Sequence, residues 1–98
     1  MSEKLTVVVR LRALAGMEER VRRELLDLLG PTRMESGCLN FDLHEAEDDP
    51  GLFLVHENWV GEDDLVRHFE MPYLKAWVAK ADGLLAEPME LTRWRQIG

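Results

Sequence analysis

Glu57 and His68 are the residues of this chain whose types and placement could do chemistry together. Glu57 alternates with Val55 and Trp59, so its carboxylate points to the same side as those apolar neighbours. His68, three residues after Leu65, points back from the facing helical stretch beside Tyr73 and Trp77. A carboxylate beneath an apolar face is costly unless paired, and pairing shifts the pKa of the partner as well. The two could form a buried acid/base pair within an aromatic cleft, the arrangement a general base needs near neutral pH. The other reading is structural: Glu57 caps a backbone group or salt-bridges Arg33, His68 hydrogen-bonds a carbonyl, and Trp59 and Trp77 are core. Composition and spacing alone favour this second reading.

Other chemistries lack their residues. There is no GxGxxG, P-loop, GxSxG elbow or HExxH. His44, His56 and His68 stand on different elements without an HxH or HxxxH pair, and His44 and His56 face away from His68, so no metal site is expected. Cys38 is the only cysteine, which excludes an intrachain disulfide and a CxxC motif and leaves a plain strand residue. A formal charge of −7 argues against nucleic acid, and Arg20, Arg22 and Arg23 among Glu18, Glu19 and Glu24 form a solvated helix face. No secretory leader pattern opens the sequence, and no apolar run approaches the roughly 18 residues of a membrane span. A cytoplasmic protein without a membrane partner is expected.

The elements that must position Glu57 and His68 follow from periodicity. The 98 residues, 46% hydrophobic and 32% charged, fit one domain spanning 1–98. Leu5, Val7, Val9 and Leu11 alternate with polar or smaller neighbours and predict a first strand. Met17, Val21, Leu25 and Leu28 form a helical stripe that Gly30-Pro31 should kink or stop, with a further turn over Thr32 to Glu35 and a cap at Gly37. Cys38 to Glu45 alternates again, Asp48 to Gly51 is a turn, and Leu52 to Val60 returns to complete a hairpin. Gly61 with Glu62, Asp63 and Asp64 marks a helix start. Leu65, Phe69, Tyr73 and Trp77 share a face, while Pro72 divides the stretch into two helices. Met89 to Ile97 is the last strand.

The order βαββαβ predicts a ferredoxin-like α+β fold, a four-stranded antiparallel sheet with helices on one face. Leu5, Val7, Val9, Leu39, Phe41, Leu43, Phe53, Val55 and Trp59 are assigned to the helices. The opposite face mixes Val8, Leu52, Leu54 and Trp94 with Arg10, Asn40, Asp42, His44, His56 and Asn58. That face is too apolar for water and too polar for a dry core, so a sheet-to-sheet homodimer is expected.

The stretch Pro31-Thr32-Arg33-Met34-Glu35-Ser36-Gly37-Cys38-Leu39-Asn40-Phe41-Asp42-Leu43-His44, then Asp49-Pro50, Glu57-Asn58-Trp59, and His68 followed by Pro72-Tyr73, resembles the antibiotic biosynthesis monooxygenase family of dimeric α+β barrel proteins. The resemblance covers nearly the whole chain. It implies that fold, a homodimer, and a pocket between helices and sheet in each subunit, with Glu57, Trp59 and His68 matching the family pattern. Members range over quinol and polyketide monooxygenases, haem-degrading enzymes and an isomerase of a phosphorylated sugar. Three departures stand out. Tyr73 replaces a second pocket histidine. Val55 stands where actinorhodin-type monooxygenases carry an asparagine. Val78 and Val8 occupy the places near the axial histidine and first-strand asparagine of the haem-degrading members.

The resemblance thus implies a cofactor-independent monooxygenase of an electron-rich phenol, hydroquinone or polyketide-type aromatic. His68 is the expected base and Glu57 its orienting partner. Trp59, Tyr73 and Trp77 are walls for a planar ring, and Phe41 and Arg33 further substrate contacts. One alternative is a proton-transfer isomerase, which for a phosphorylated substrate needs a cationic anchor such as Arg33 or Lys75. Another is a non-catalytic binder of a small aromatic molecule.

Overall fold

Alternating stretches become strands and the wider apolar periods become helices in the expected order. The elements are β1 (Leu5–Arg12), α1 (Glu18–Arg33), β2 (Cys38–Ala46), β3 (Asp49–Trp59), α2 (Glu62–Phe69), α3 (Pro72–Ala81) and β4 (Glu90–Trp94). They are seen in a computed structural model that describes residues 4–98. The sheet is antiparallel throughout, in the order β2-β3-β1-β4, which with its helices makes a ferredoxin-like α+β fold. Among the described residues no helix is long and apolar enough to cross a membrane.

Register decides which side chains meet the helices. Val7 lies opposite Glu57, and Glu57 opposite Phe41, so a carboxylate stands between two apolar side chains, with Arg93 of β4 at the end of the row. Val9, Val55, Leu43 and Leu91 form the next row. These rows close on Val21, Leu25 and Leu28 of α1, Leu65 of α2 and Leu74 and Trp77 of α3, all buried. Each such side chain removed from water is worth about 1.5–3 kcal/mol.

Several expectations move. Leu39 is 55% exposed, because the ladder shifts register between Cys38 and Asn40 and turns that side chain off the helix face. A second shift between Glu45 and Ala46 lets β3 begin at Asp49, so the turn shrinks to Glu47 and Asp48 and Pro50 sits in the strand beside the irregularity. Helix α1 carries Pro31 inside its last turn, where few carbonyl bonds remain to be lost. Met17 precedes the helix as its cap residue and is exposed. The last strand ends at Trp94, the final residue with a partner on β1. Phe69 is half-exposed because extended Met71 interrupts the four-residue register before α3 starts at Pro72, and α3 buries Leu74, Trp77 and Ala81 instead.

Gly37 carries the loop from α1 into β2 at φ +87°, a conformation glycine adopts without steric cost. A Cβ there would overlap the Asp64 side chain, whose carboxylate accepts the Gly61 N–H at 3.1 Å and caps α2. Gly37→Ala should therefore lose about 2–4 kcal/mol, the left-handed penalty plus a displaced cap. Urea unfolding checks this, and a loss below about 1 kcal/mol would show that the loop reshapes freely.

Candidate functional site

Between the sheet and the helices lies a cavity of about 230 Å³. All four strands and all three helices contribute to it: Val9 and Leu11, Phe41, Val55 and Glu57, Leu91, then Leu25 and Leu28, His68 and Phe69, Leu74 and Trp77, with Met89 beside β4. Glu57 and His68 are the ionisable groups in this wall, and every other lining side chain is apolar. Four expected residues thus line it: Glu57, His68, Phe41 and Trp77.

The remaining three do other work. Trp59 is fully buried and donates its indole N–H to Glu57 Oε1 at 2.9 Å. Its ring lies 4.8 Å from the His68 ring, centroid to centroid, and Phe41 and Phe69 approach the same imidazole at 5.7 and 5.8 Å. The imidazole is therefore held in a collar of aromatic rings. Arg33 does not line the cavity. From the last turn of α1 its guanidinium donates to the Phe41 carbonyl at 3.0 Å and to Asp42 at 2.9 Å, satisfying groups of the edge strand β2. Lys75 is exposed on α3 and outside the wall.

The hydrogen-bond partner of His68 is not Glu57 but Glu35. His68 Nδ1 lies 2.8 Å from Glu35 Oε2, and both side chains are almost fully buried, 3% and 5% exposed. Tyr73 donates its phenol O–H to the same Glu35 oxygen, which makes Tyr73 a support of the dyad rather than a wall of the cavity. Sequence reasoning missed Glu35. It sits between the end of α1 and Gly37, where neither helical nor strand period gives a side-chain direction, and the one signal was its place within the Pro31 to His44 stretch that carries the family resemblance.

Burial pushes the Glu57 carboxyl up to about 7, and the nearby Glu35 charge adds to this, while the Trp59 N–H works the other way. The group is thus poised to take up or release a proton near neutrality. Burial, then donation into Glu35, pushes the Tyr73 phenol up to about 12, so it remains a donor. Burial and the carboxylates of Glu35 and Glu57 push the Cys38 thiol up to about 11, leaving little reactive thiolate. Among the described residues no group of three or more His, Cys, Asp or Glu is arranged to hold a metal ion.

The Glu57 shift has a stability consequence. Its folded pKa lies above the ordinary 4.5, so between pH 4.5 and about 7 the folded chain holds a proton that the unfolded chain has released. The favourable contribution is complete below that window and is lost as pH rises through it. Glu57→Gln removes the titration and can still accept the Trp59 N–H. From pH 5 to 8 the wild type should lose about 2–3 kcal/mol more unfolding free energy than this variant. Parallel denaturant curves with equal pH slopes would show that Glu57 titrates normally.

Comparison with known proteins bears on the family and the fold. The profile of the family described as antibiotic biosynthesis monooxygenase matches residues 4–80. An uncharacterised Synechocystis protein, sll1783, is 38% identical over 61 residues, 62% of this chain and 42% of that protein, so the chain matches under half of that relative's length. Rv0793 of Mycobacterium tuberculosis, whose name places it provisionally among the monooxygenases, is 27% identical over 92 residues, covering 94% of this chain and 90% of that one. Its structure superposes with a TM-score of 0.92 at 25% identity, over 97% of this chain and 96% of that chain. The crystal structure of PA3566 from Pseudomonas aeruginosa gives a TM-score of 0.94 at 31% identity, over 100% of this chain and 98% of that chain.

Proposed function

The chain belongs to the antibiotic biosynthesis monooxygenase family, and from that membership we propose that it is a cofactor-independent monooxygenase of an electron-rich phenol or hydroquinone. The observation that carries the proposal is the apolar cavity of about 230 Å³ whose wall holds Glu57 and His68 as its ionisable groups. A cavity of roughly 150 Å³ accepts benzene, so this volume suits one substituted ring or a fused pair. Nothing in the wall is a lysine or arginine, which disfavours phosphorylated or carboxylate substrates.

The substrate itself is the reductant. His68 takes the phenol proton, and the electron-rich phenolate passes an electron to dioxygen. Recombination forms a carbon–oxygen bond at an unsubstituted ring carbon. The O–O bond then breaks: one oxygen remains as a quinone carbonyl, and the other leaves as water with the phenol and ring protons. Phenol plus O2 thus gives quinone plus water, with no external electron donor. Glu57, titrating near 7, is suited to hand a proton to the departing oxygen and to be recharged by the phenol proton that His68 took up, so neither group is changed at the end of the cycle. Phe41 and Trp77 flank the ring, and the surrounding aliphatic wall excludes water.

The test is an oxygen electrode with a panel of hydroquinones and naphthols, in air and under nitrogen, using protein dialysed against a chelator. Oxygen uptake matched to a quinone that carries one atom of labelled dioxygen, without hydrogen peroxide, supports the proposal, and an unlabelled quinone with peroxide overturns it. Absence of any oxygen-dependent acceleration sinks it, and loss of the rate on chelation sinks its cofactor-independent part. A proton-transfer isomerase of an uncharged metabolite would use the same two groups without oxygen uptake.

The same proposal includes a homodimer through the sheet face away from the helices. Leu54 and Trp94 are 36% and 58% exposed there, beside a polar chain in which Thr6 donates to Asn58, Asn58 to Asn40 and Asn40 to Asp42. Leu54→Asp should convert a dimer to a monomer in sedimentation velocity, and an unchanged dimer would place the interface elsewhere.

A further inference from the structure

Glu35 collects two hydrogen bonds in one oxygen. His68 Nδ1 and the Tyr73 hydroxyl both reach Oε2, from α2 and α3, while Glu35 itself stands at the exit of α1. A protonated oxygen could donate to only one of them. An Oε2 without a proton accepts both, and that requires His68 to carry its proton on Nδ1. A neutral imidazole protonated on Nδ1 has a bare Nε2, the lone pair a general base needs. His68 lines the cavity, and its ring is held by Trp59 at 4.8 Å and Phe41 at 5.7 Å, so the free nitrogen has little room to swing away.

We infer that Glu35, fixed by the Tyr73 hydroxyl, is the positioning residue that sets the tautomer and orientation of His68 and presents its bare Nε2 to the cavity. The role rests on His68 acting as base in the proposed oxidation. It assigns Glu35 no contact with substrate. It also gives Tyr73 a purpose that aromatic bulk alone does not supply, since a phenylalanine would leave one lone pair of the carboxylate without its donor in a site 5% exposed.

The tautomer is measurable without any substrate. In protein carrying nitrogen-15 histidine, long-range proton–nitrogen correlation at pH 8 should show His68 with a pyrrole-like Nδ1 and a pyridine-like Nε2. The exposed His44 and the partly exposed His56 serve as internal references. Glu35→Leu should abolish the dominance of that form at His68 while leaving both references unchanged. In turnover, Glu35→Gln should lower kcat by about 100-fold with KM within about 3-fold, and Tyr73→Phe should lower kcat by about 3–10-fold while keeping the tautomer.

Wild-type His68 found protonated on Nε2, or the same tautomer retained in Glu35→Leu, overturns the inference. The wild-type spectrum alone is decisive if Glu35→Leu does not fold. If no hydroquinone is oxidised, the functional proposal falls while the tautomer measurement still decides what Glu35 does to His68.

Discussion

His68→Ala is expected to lower oxygen-dependent hydroquinone oxidation by about 10²–10⁴-fold, the range for removing a general base. The magnitude follows from what remains. Glu57 is the other ionisable group in the cavity wall, and it titrates near 7, so it is partly protonated where the reaction would run. It also already accepts the Trp59 indole N–H. Neither property makes it a ready substitute base. The truncation has a second effect, since it leaves the Glu35 carboxylate buried without its imidazole donor, keeping only Tyr73. Loss of rate must therefore be separated from loss of fold. Circular dichroism and thermal unfolding give the first control. Added imidazole gives the second, because the space vacated by the side chain matches it, and recovery of rate would identify the missing base. Rates in His68→Ala within about threefold of wild type, in folded protein, would exclude His68 as the proton acceptor.

Trp59→Phe is expected to destabilise the fold by about 2–4 kcal/mol, more than its change in apolar area alone would cost. Trp59 is wholly buried, so phenylalanine leaves a void where the larger indole stood. It also deletes the N–H donor of Glu57, a carboxyl only 4% exposed. That hydrogen bond is what holds the Glu57 pKa down against burial, so its loss should raise the pKa above about 7. The variant should accordingly show its pH-dependent stability term displaced to higher pH. Chemical denaturation from pH 5 to 9 reads both effects. A loss below about 1 kcal/mol with an unmoved pH profile would mean that Glu57 finds another donor and that the Trp59 contact is incidental.

Much of the fold was legible because burial here follows simple periods. Val7, Val9 and Leu11 alternate with less buried neighbours, as a strand with one covered face must. Pro72 opens α3 because its ring suits a first helical turn, and Gly37 carries a positive φ because other residues resist it. Leu39 was misplaced because a register shift is a property of two strands together, and one strand's pattern does not contain it. In sequence a cation near a pocket motif has no direction, so Arg33 is expected there as a ligand contact. Its last-turn position on α1 instead delivers it to Asp42 and the Phe41 carbonyl of β2.

Residue pattern alone set the ferredoxin-like order of elements and the apolar faces of the strands. It also put Glu57 and His68 on opposing sides of one core, since alternation and helical period are local properties. Which acid meets His68 was decided only by the tertiary structure. Glu35 and His68 are 33 positions apart and Glu35 and Tyr73 are 38 apart, and Glu35 lies in a junction without a period. Three helix ends had to converge before one carboxylate could take both hydrogen bonds, and convergence depends on packing between elements rather than on the pattern within any one of them.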